Sequence, residues 1–351
     1  METPELVVNK PRQSQRAPRP LNVVALGGGT GLSTLLRGLK NHVVRRSDKG
    51  PTLARPITDL VAIVAVTDDG GSSGRLRREN RVLPPGDIRN CMVALSKDEA
   101  LLSRLFQYRF HAGRGLRGHN FGNLFLAALT HVTGDFAEAV RVSAKVLAIR
   151  GRIFPSTVSN VHLVATLANG KRVEGETNIS RSTVPIRKLA LVPSRVRPLS
   201  AALEAIRDAD LILMGPGSLY TSILPNLLIP EIADAIAGST APRVYIANLM
   251  TQPGETTHYS LSEHVRAIQD HVGKNLIDYV IANRRPISPE VARRYRAQGA
   301  EQVRLDPRAV AGLRVSLLTG NFLEEHGVIR HNAPQLARLL VDHFLLSPSR
   351  R

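Results

Sequence analysis

With 351 residues, 43% of them hydrophobic, the chain is long enough for one large α/β domain or two smaller ones. No apolar run reaches the length of a membrane span, the basic N-terminus lacks the apolar core of a signal peptide, and one cysteine, Cys91, excludes an internal disulfide; a cytoplasmic protein is expected. The net charge of +18 suits anionic ligands, but the arginines are scattered and aromatic residues make up only 4%, too few for a stacking surface, so nucleic acid is disfavoured.

Residues 1–20 read as a disordered basic tail and 347–351 as a second short tail around a single α/β domain at 21–346. The stretch LNVVALGGGTGLST, residues 21–34, runs from an apolar strand through four glycines in five residues into a helix with Leu32, Leu35, Leu36 and Leu39 on one face. Such a turn leaves helix N-terminal amides free to face an anion. Neither the dinucleotide pattern G-x-G-x-x-G nor the Walker pattern fits, because Leu32 stands where the third glycine belongs and no Gly-Lys-Ser/Thr follows. A polar connection at 42–58 leads to a continuously apolar, β-branched strand at 60–66, as in a parallel sheet covered on both faces.

Residues 88–150 read as a helical insertion, with helices at 94–108, 120–132 and 136–149 and Asp135 as an N-cap. Residues 161–175 read as a small β-hairpin turned by Asn169-Gly170. An α/β rhythm follows: helix 199–209, strand 211–214, strand 244–249, helix 261–272, strand 277–282, helix 289–297, strand 314–318 and helix 334–345. Together these predict a Rossmann-like, doubly wound, mainly parallel α/β sheet.

In such sheets ligands bind beyond the carboxyl ends of the strands. Four glycine-rich or polar segments fall there: Gly27–Gly31, Asp68–Gly74, Gly215–Ser222 and Asn248–Thr256. In the first and third, Gly28, Gly29, Thr30, Gly31, Gly217, Ser218, Thr221 and Ser222 are suited to phosphate or sugar oxygens. Asp68 and Asp69 fit either a Mg²⁺ held by carboxylates and ligand oxygens, or a ribose hydroxyl, against the plainer role of turn formation. Asp87 either caps the helix that follows Pro84-Pro85-Gly86 or points a carboxylate into the cleft. His119, Asn120 and Asn123 either cap a helix or contact a ligand. A Ser218 nucleophile is disfavoured, since no His and acid pair is evident, and catalytic zinc is disfavoured for want of a Cys/His cluster.

The motifs GGGTGLS, DDGGSSG, PPGDIRN, HNFGN, GPGSLYTSILPNLL and NLMTQPGET, in this order, closely resemble the YvcK-type gluconeogenesis factor family within the CofD-like superfamily. The resemblance covers about residues 21–344. It implies a cytoplasmic bacterial protein that binds UDP-sugars such as UDP-N-acetylglucosamine and serves cell shape and wall homeostasis during gluconeogenic growth. It also implies, on the CofD pattern, phosphate handling by Gly28–Gly31 and Gly217–Ser222, metal-side acids at Asp68 and Asp69, and polar contacts from Asn120, Asn123 and Asn248, with Thr251 beside the last. The CofD relatives are Mg²⁺-dependent transferases that move 2-phospho-L-lactate from a guanosine diphosphate adduct to a deazaflavin. The absent general base favours a binding regulator without turnover; such a transferase is the alternative, since phosphoryl-type chemistry needs positioning more than a nucleophile. An NAD-linked oxidoreductase is disfavoured by Leu32. Oligomeric state, including a homo-oligomer, is left open.

Overall fold

Strands covered on both faces need unbroken apolar runs, and β1 (Leu21–Gly27) is buried along nearly its whole length. The computed structural model describes residues 21–45, 48–96 and 101–346; the tails expected at 1–20 and 347–351 lie outside them. β1 pairs in parallel with β2 (Ile57–Val64), and β2 with the edge strand β3 (Arg152–Pro155). Next come β4 (His162–Leu167), β5 (Arg172–Glu174) and β6 (Ile186–Val192), a separate antiparallel sheet in the order β5-β4-β6. The chain then returns to the other side of β1 with β7 (Leu211–Met214), β8 (Arg243–Ile246), β9 (Tyr279–Asn283) and β10 (Ser316–Gly320). β11 (Leu323–His326) and β12 (Val328–His331) form a closing hairpin.

The main sheet has seven parallel strands in the order β10-β9-β8-β7-β1-β2-β3. The chain therefore starts at the centre, builds to one edge and then fills the opposite side. The direction of winding reverses between β1 and β7, and the connections leaving those two strands diverge to opposite sides, which opens a crevice at their carboxyl ends.

Six helices precede β3: α1 (Gly29–Leu39), α2 (Gly71–Asn80), α3 (Gly86–Leu95), α4 (Leu101–Gln107), α5 (Phe121–Thr133) and α6 (Phe136–Val146). The leucine stripe of α1 is fully buried, at Leu32, Leu35, Leu36 and Leu39. Each such side chain contributes about 1.5–3 kcal/mol through burial, so α1 is fixed firmly on the sheet. Asp135 caps α6, accepting the Glu138 N–H at 2.7 Å, as expected.

Three elements differ from expectation. The single helix at 94–108 is replaced by α3 and α4, with 97–100 outside the described residues. α2 forms where only a turn was read, because its residues, GSSGRLRREN, carry almost no apolar periodicity and bury Ser72, Ser73 and Gly74 instead. The hairpin at 161–175 is present, but β6 pairs on the far side of β4 and makes it a three-stranded sheet.

Candidate functional site

The crevice is built by the turns after β1 and β7. Gly28 is extended, and α1 begins at Gly29 with φ +62. The amides of a helix's first turn have no partner within the helix, so they face whatever fills the crevice. A Cβ on Gly31 would lie 2.3 Å from the Pro216 carbonyl oxygen, so only glycine lets α1 start against the β7 turn. That turn continues into a π-type helical turn, Leu219–Ile223, in which the Ser222 and Ile223 amides both donate to the Ser218 carbonyl at 3.0 Å. Such widened turns recur at functional sites. Buried Asn226 joins the two segments by donating from Nδ2 to the carbonyls of Gly27 (3.2 Å) and Ser222 (2.8 Å). The Gly217 amide donates to Asn248 Oδ1 at 3.2 Å, which brings in the segment after β8.

A cleft of about 570 Å³ results, and its lining includes Gly28, Gly29, Thr30, Gly31, Gly217, Ser218, Thr221, Ser222, Asn248 and Thr251. The structure thus gathers the first, third and fourth expected segments around one hollow. Thr251 is held besides by the 300 region: its amide donates to the Glu301 carbonyl at 2.7 Å and its Oγ1 accepts the Glu301 amide at 3.0 Å.

The cleft also holds acids that sequence patterns did not single out. Glu255 is buried and accepts from the Ser218 and Thr221 hydroxyls, the Tyr220 amide (3.3 Å) and the Ser180 hydroxyl (2.9 Å). Four donors on one carboxylate fix the Ser218 and Thr221 oxygens in place, so Ser218 is held by its bonds rather than activated by a histidine. Glu176 is pushed up to about 9 by burial and then by the charges of Asp68, Asp87, Glu255 and Asp69, so it is neutral at pH 7. Asp87 is raised to about 6 by burial, against the Gly29 amide, which donates to it and favours the charged form. Asp87 therefore reaches the start of α1 from α3 and competes for the amide that an anion would use.

Asp68 and Asp69, the expected metal-side acids, stand apart from each other in role. Asp68 accepts the Gly70 amide at 2.9 Å and acts electrostatically on Asp87 and Glu176 beside the cleft. Asp69 is engaged elsewhere, accepting the Thr177 amide (2.9 Å) and hydroxyl (2.6 Å) at the start of the short helix Glu176–Ser180. Among the described residues no group of three or more His, Cys, Asp or Glu has metal-holding geometry. Hard carboxylate oxygens at Asp68, beside the cleft, fit a cation that would take its remaining ligands from a bound anion and water; Asp69 has its Oδ1 engaged by Thr177.

His119, Asn120 and Asn123 lie at the N-terminus of α5, outside this cleft. Asn120 caps the helix, accepting the Asn123 amide at 3.3 Å, and His119 Nδ1 is bonded to the Ser72 hydroxyl at 3.1 Å. Asn120 instead lines a smaller neighbouring hollow. Arg330 and His331, on the closing hairpin, complete the cleft rim, and the hairpin is anchored where His331 Nε2 donates to the Ala247 carbonyl at 3.1 Å. Burial holds that imidazole down at about 4, so it is neutral. Nothing in the short alternation VIRH marked these two residues beforehand.

Comparison with known proteins agrees with this architecture. The family model described as 2-phospho-L-lactate transferase CofD matches residues 23–323. A putative gluconeogenesis factor from a Nostoc species is 49% identical over 336 residues, 95% of this chain and 70% of that protein. The gluconeogenesis factor of Bacillus subtilis is 44% identical over 321 residues, 91% of this chain and 97% of its own length. A crystal structure of a UPF0052-family protein from Bacillus halodurans superposes with a TM-score of 0.86 at 46% identity, covering 92% of this chain and 99% of that one. The seven-stranded parallel sheet, the crevice at its winding reversal and these matches place the chain in the CofD family, among the gluconeogenesis factors.

Proposed function

We propose that the chain is a cytoplasmic regulator that binds a nucleotide sugar, a UDP-sugar such as UDP-N-acetylglucosamine, without turning it over. The observation that carries this reading is the convergence of the α1 N-terminus and the Ser218–Ser222 turn on one cleft of about 570 Å³, a volume suited to a ligand of that size. The first-turn amides and Arg330 would face the diphosphate, and the fixed hydroxyls of Ser218 and Thr221 would meet phosphate or sugar oxygens. Glu176, neutral at pH 7, is able to donate a hydrogen bond rather than repel the ligand. A Mg²⁺ at Asp68 would neutralise charge between the diphosphate and the acids behind it. The relatives' name, gluconeogenesis factor, supports a role in gluconeogenic growth; cell shape and wall homeostasis as the outlet follow from the proposed ligand, UDP-N-acetylglucosamine, and not from that name.

Calorimetric titration with a panel of UDP-sugars, GDP derivatives and NAD tests this reading. Saturable binding of a UDP-sugar is expected, and preference for NAD over every UDP-sugar overturns it. A second reading, a Mg²⁺-dependent transferase, is favoured by the match to the 2-phospho-L-lactate transferase model across the whole sheet. Incubation with a 2-phospho-L-lactate donor, Mg²⁺ and a deazaflavin acceptor separates the two, because product formation rules out a binder without turnover.

A further inference from the structure

Beside the main cleft lies a second hollow of about 220 Å³, sharing Thr30, Thr34 and Arg330 with it. Its other charged lining residues are Arg37, Arg89 and Arg109, and no carboxylate lines it. Guanidinium groups repel one another, and a protein that gathers them without acids leaves their charge to be met by something else.

Arg89 is the built part of this arrangement. Its Nε is buried without a hydrogen-bond partner, and its Nη2 donates to Asn90 Oδ1 at 2.7 Å. Its stem runs across the start of α5, where a Cβ on Gly122 would lie 2.9 Å from Arg89 Cγ and Cδ and 2.7 Å from the Phe106 carbonyl. Burial and then the charge of Arg109 pull its guanidinium down to about 10, outweighing Asp87 and Asp68. Arg109 is held by a 2.7 Å bond to the Gly118 carbonyl, a neutral acceptor. Among the described residues, no ion pair joins Arg37, Arg89, Arg109 or Arg330 to an acid. Residues of two motifs that do not line the main cleft gain a place here: PPGDIRN supplies Arg89 and Asn90, and HNFGN supplies Asn120 and the glycine that seats Arg89.

We propose that this arginine-lined hollow is a second anion site, which takes the phosphate group of a small molecule distinct from the ligand of the main cleft. Planar guanidinium groups suit the oxygens of a phosphate in paired hydrogen bonds, and the hollow has room for one such group with water. Because the two hollows share Thr30, Thr34 and Arg330, occupancy of one bears on the other. The site goes beyond the nucleotide-sugar reading and stands without it.

The test is calorimetric titration of the full chain with inorganic phosphate, at ionic strength balanced with chloride, with and without saturating UDP-N-acetylglucosamine. The wild-type chain is expected to bind phosphate in both conditions. Arg37→Gln with Arg109→Gln, both exposed side chains, is expected to weaken phosphate binding about tenfold or more while leaving nucleotide-sugar affinity within about twofold. Arg89→Met is expected to do the same to phosphate, with thermal unfolding checked for the fold. Unchanged phosphate affinity in the double variant, or expulsion of phosphate by the nucleotide sugar, overturns the proposal. Should the chain bind no nucleotide sugar, the phosphate titration of wild type against the double variant still decides.

Discussion

Two turns of this molecule look alike as sequence: Gly27–Gly31 after β1 and Gly70–Gly74 after β2, each dense in glycine and each opening a helix. Their polar groups end up in opposite places. In the β2 turn the side chains bond to protein: Asp68 Oδ1 takes the Gly70 amide at 2.9 Å, Asp69 Oδ1 takes Thr177, and the Ser72 hydroxyl bonds His119 at 3.1 Å and accepts the Asn120 amide at 3.3 Å. The β1 turn carries no acid or hydroxyl among its preceding residues and lines the cleft with its backbone, and the carboxylate that reaches it, Asp87, comes from another helix. Glycine density marks a tight connection; since neither helix is capped by a side chain at its own N-cap, the segments packed against each turn decide which of them faces a cleft.

The sharpest way to break this contrast is to add one methyl group to each turn. Gly74→Ala would place its Cβ 1.8 Å from the Asp69 carbonyl oxygen, a backbone atom that cannot step aside. A stability loss of about 2–4 kcal/mol in chemical denaturation is expected. Gly31→Ala, 2.3 Å from the Pro216 carbonyl, should cost about 1–3 kcal/mol and also force α1 off the β7 turn, with ligand binding lost in calorimetry. Equal retention of binding in both variants would remove the distinction between a supporting turn and a ligand-facing one.

Next in size is Glu255→Ala. It strips the shared acceptor from Ser180, Ser218, Thr221 and the Tyr220 amide, so a stability loss of about 1–3 kcal/mol should accompany roughly tenfold weaker UDP-sugar binding. The borrowed carboxylate of Asp87 gives a smaller, pH-dependent effect. Because its folded value is raised to about 6, its contribution to stability is complete below the ordinary carboxyl range and is lost as pH rises through 6. Ionised, it also repels a ligand phosphate, so affinity should rise as pH falls through 6, and Asp87→Asn should flatten that dependence. The smallest effect is expected for Asp68→Asn, which should weaken UDP-sugar binding only when Mg²⁺ is present; equal loss without the ion argues for a direct hydroxyl contact.

Much of the frame was legible because long apolar runs have few alternatives: β7 at 211–214 and the helix Leu261–Val272 fall where their patterns put them. α2 was not legible, since a helix that buries serines and glycine against its neighbours carries no stripe to count. The same physics divides the site. Gly28–Gly31 and Gly217–Ser222 announce themselves by composition, and both line the cleft. His119 and Asp69 look equally eligible, yet the structure bonds them to Ser72 and Thr177, and sequence spacing does not reveal partners that lie 47 or 108 positions away. Glu255, Arg330 and His331 were missed for the converse reason: single polar residues gain their role only when distant segments close around them.

The cleft rim is closed by a hairpin whose last residue is His331, while its floor begins at Gly28. During synthesis, then, every residue from Gly28 to His331 must leave the ribosome before the cleft is complete. A nascent chain halted before β11 would carry the sheet and both glycine turns without Arg330 and His331, and so would have the cleft without its closing wall.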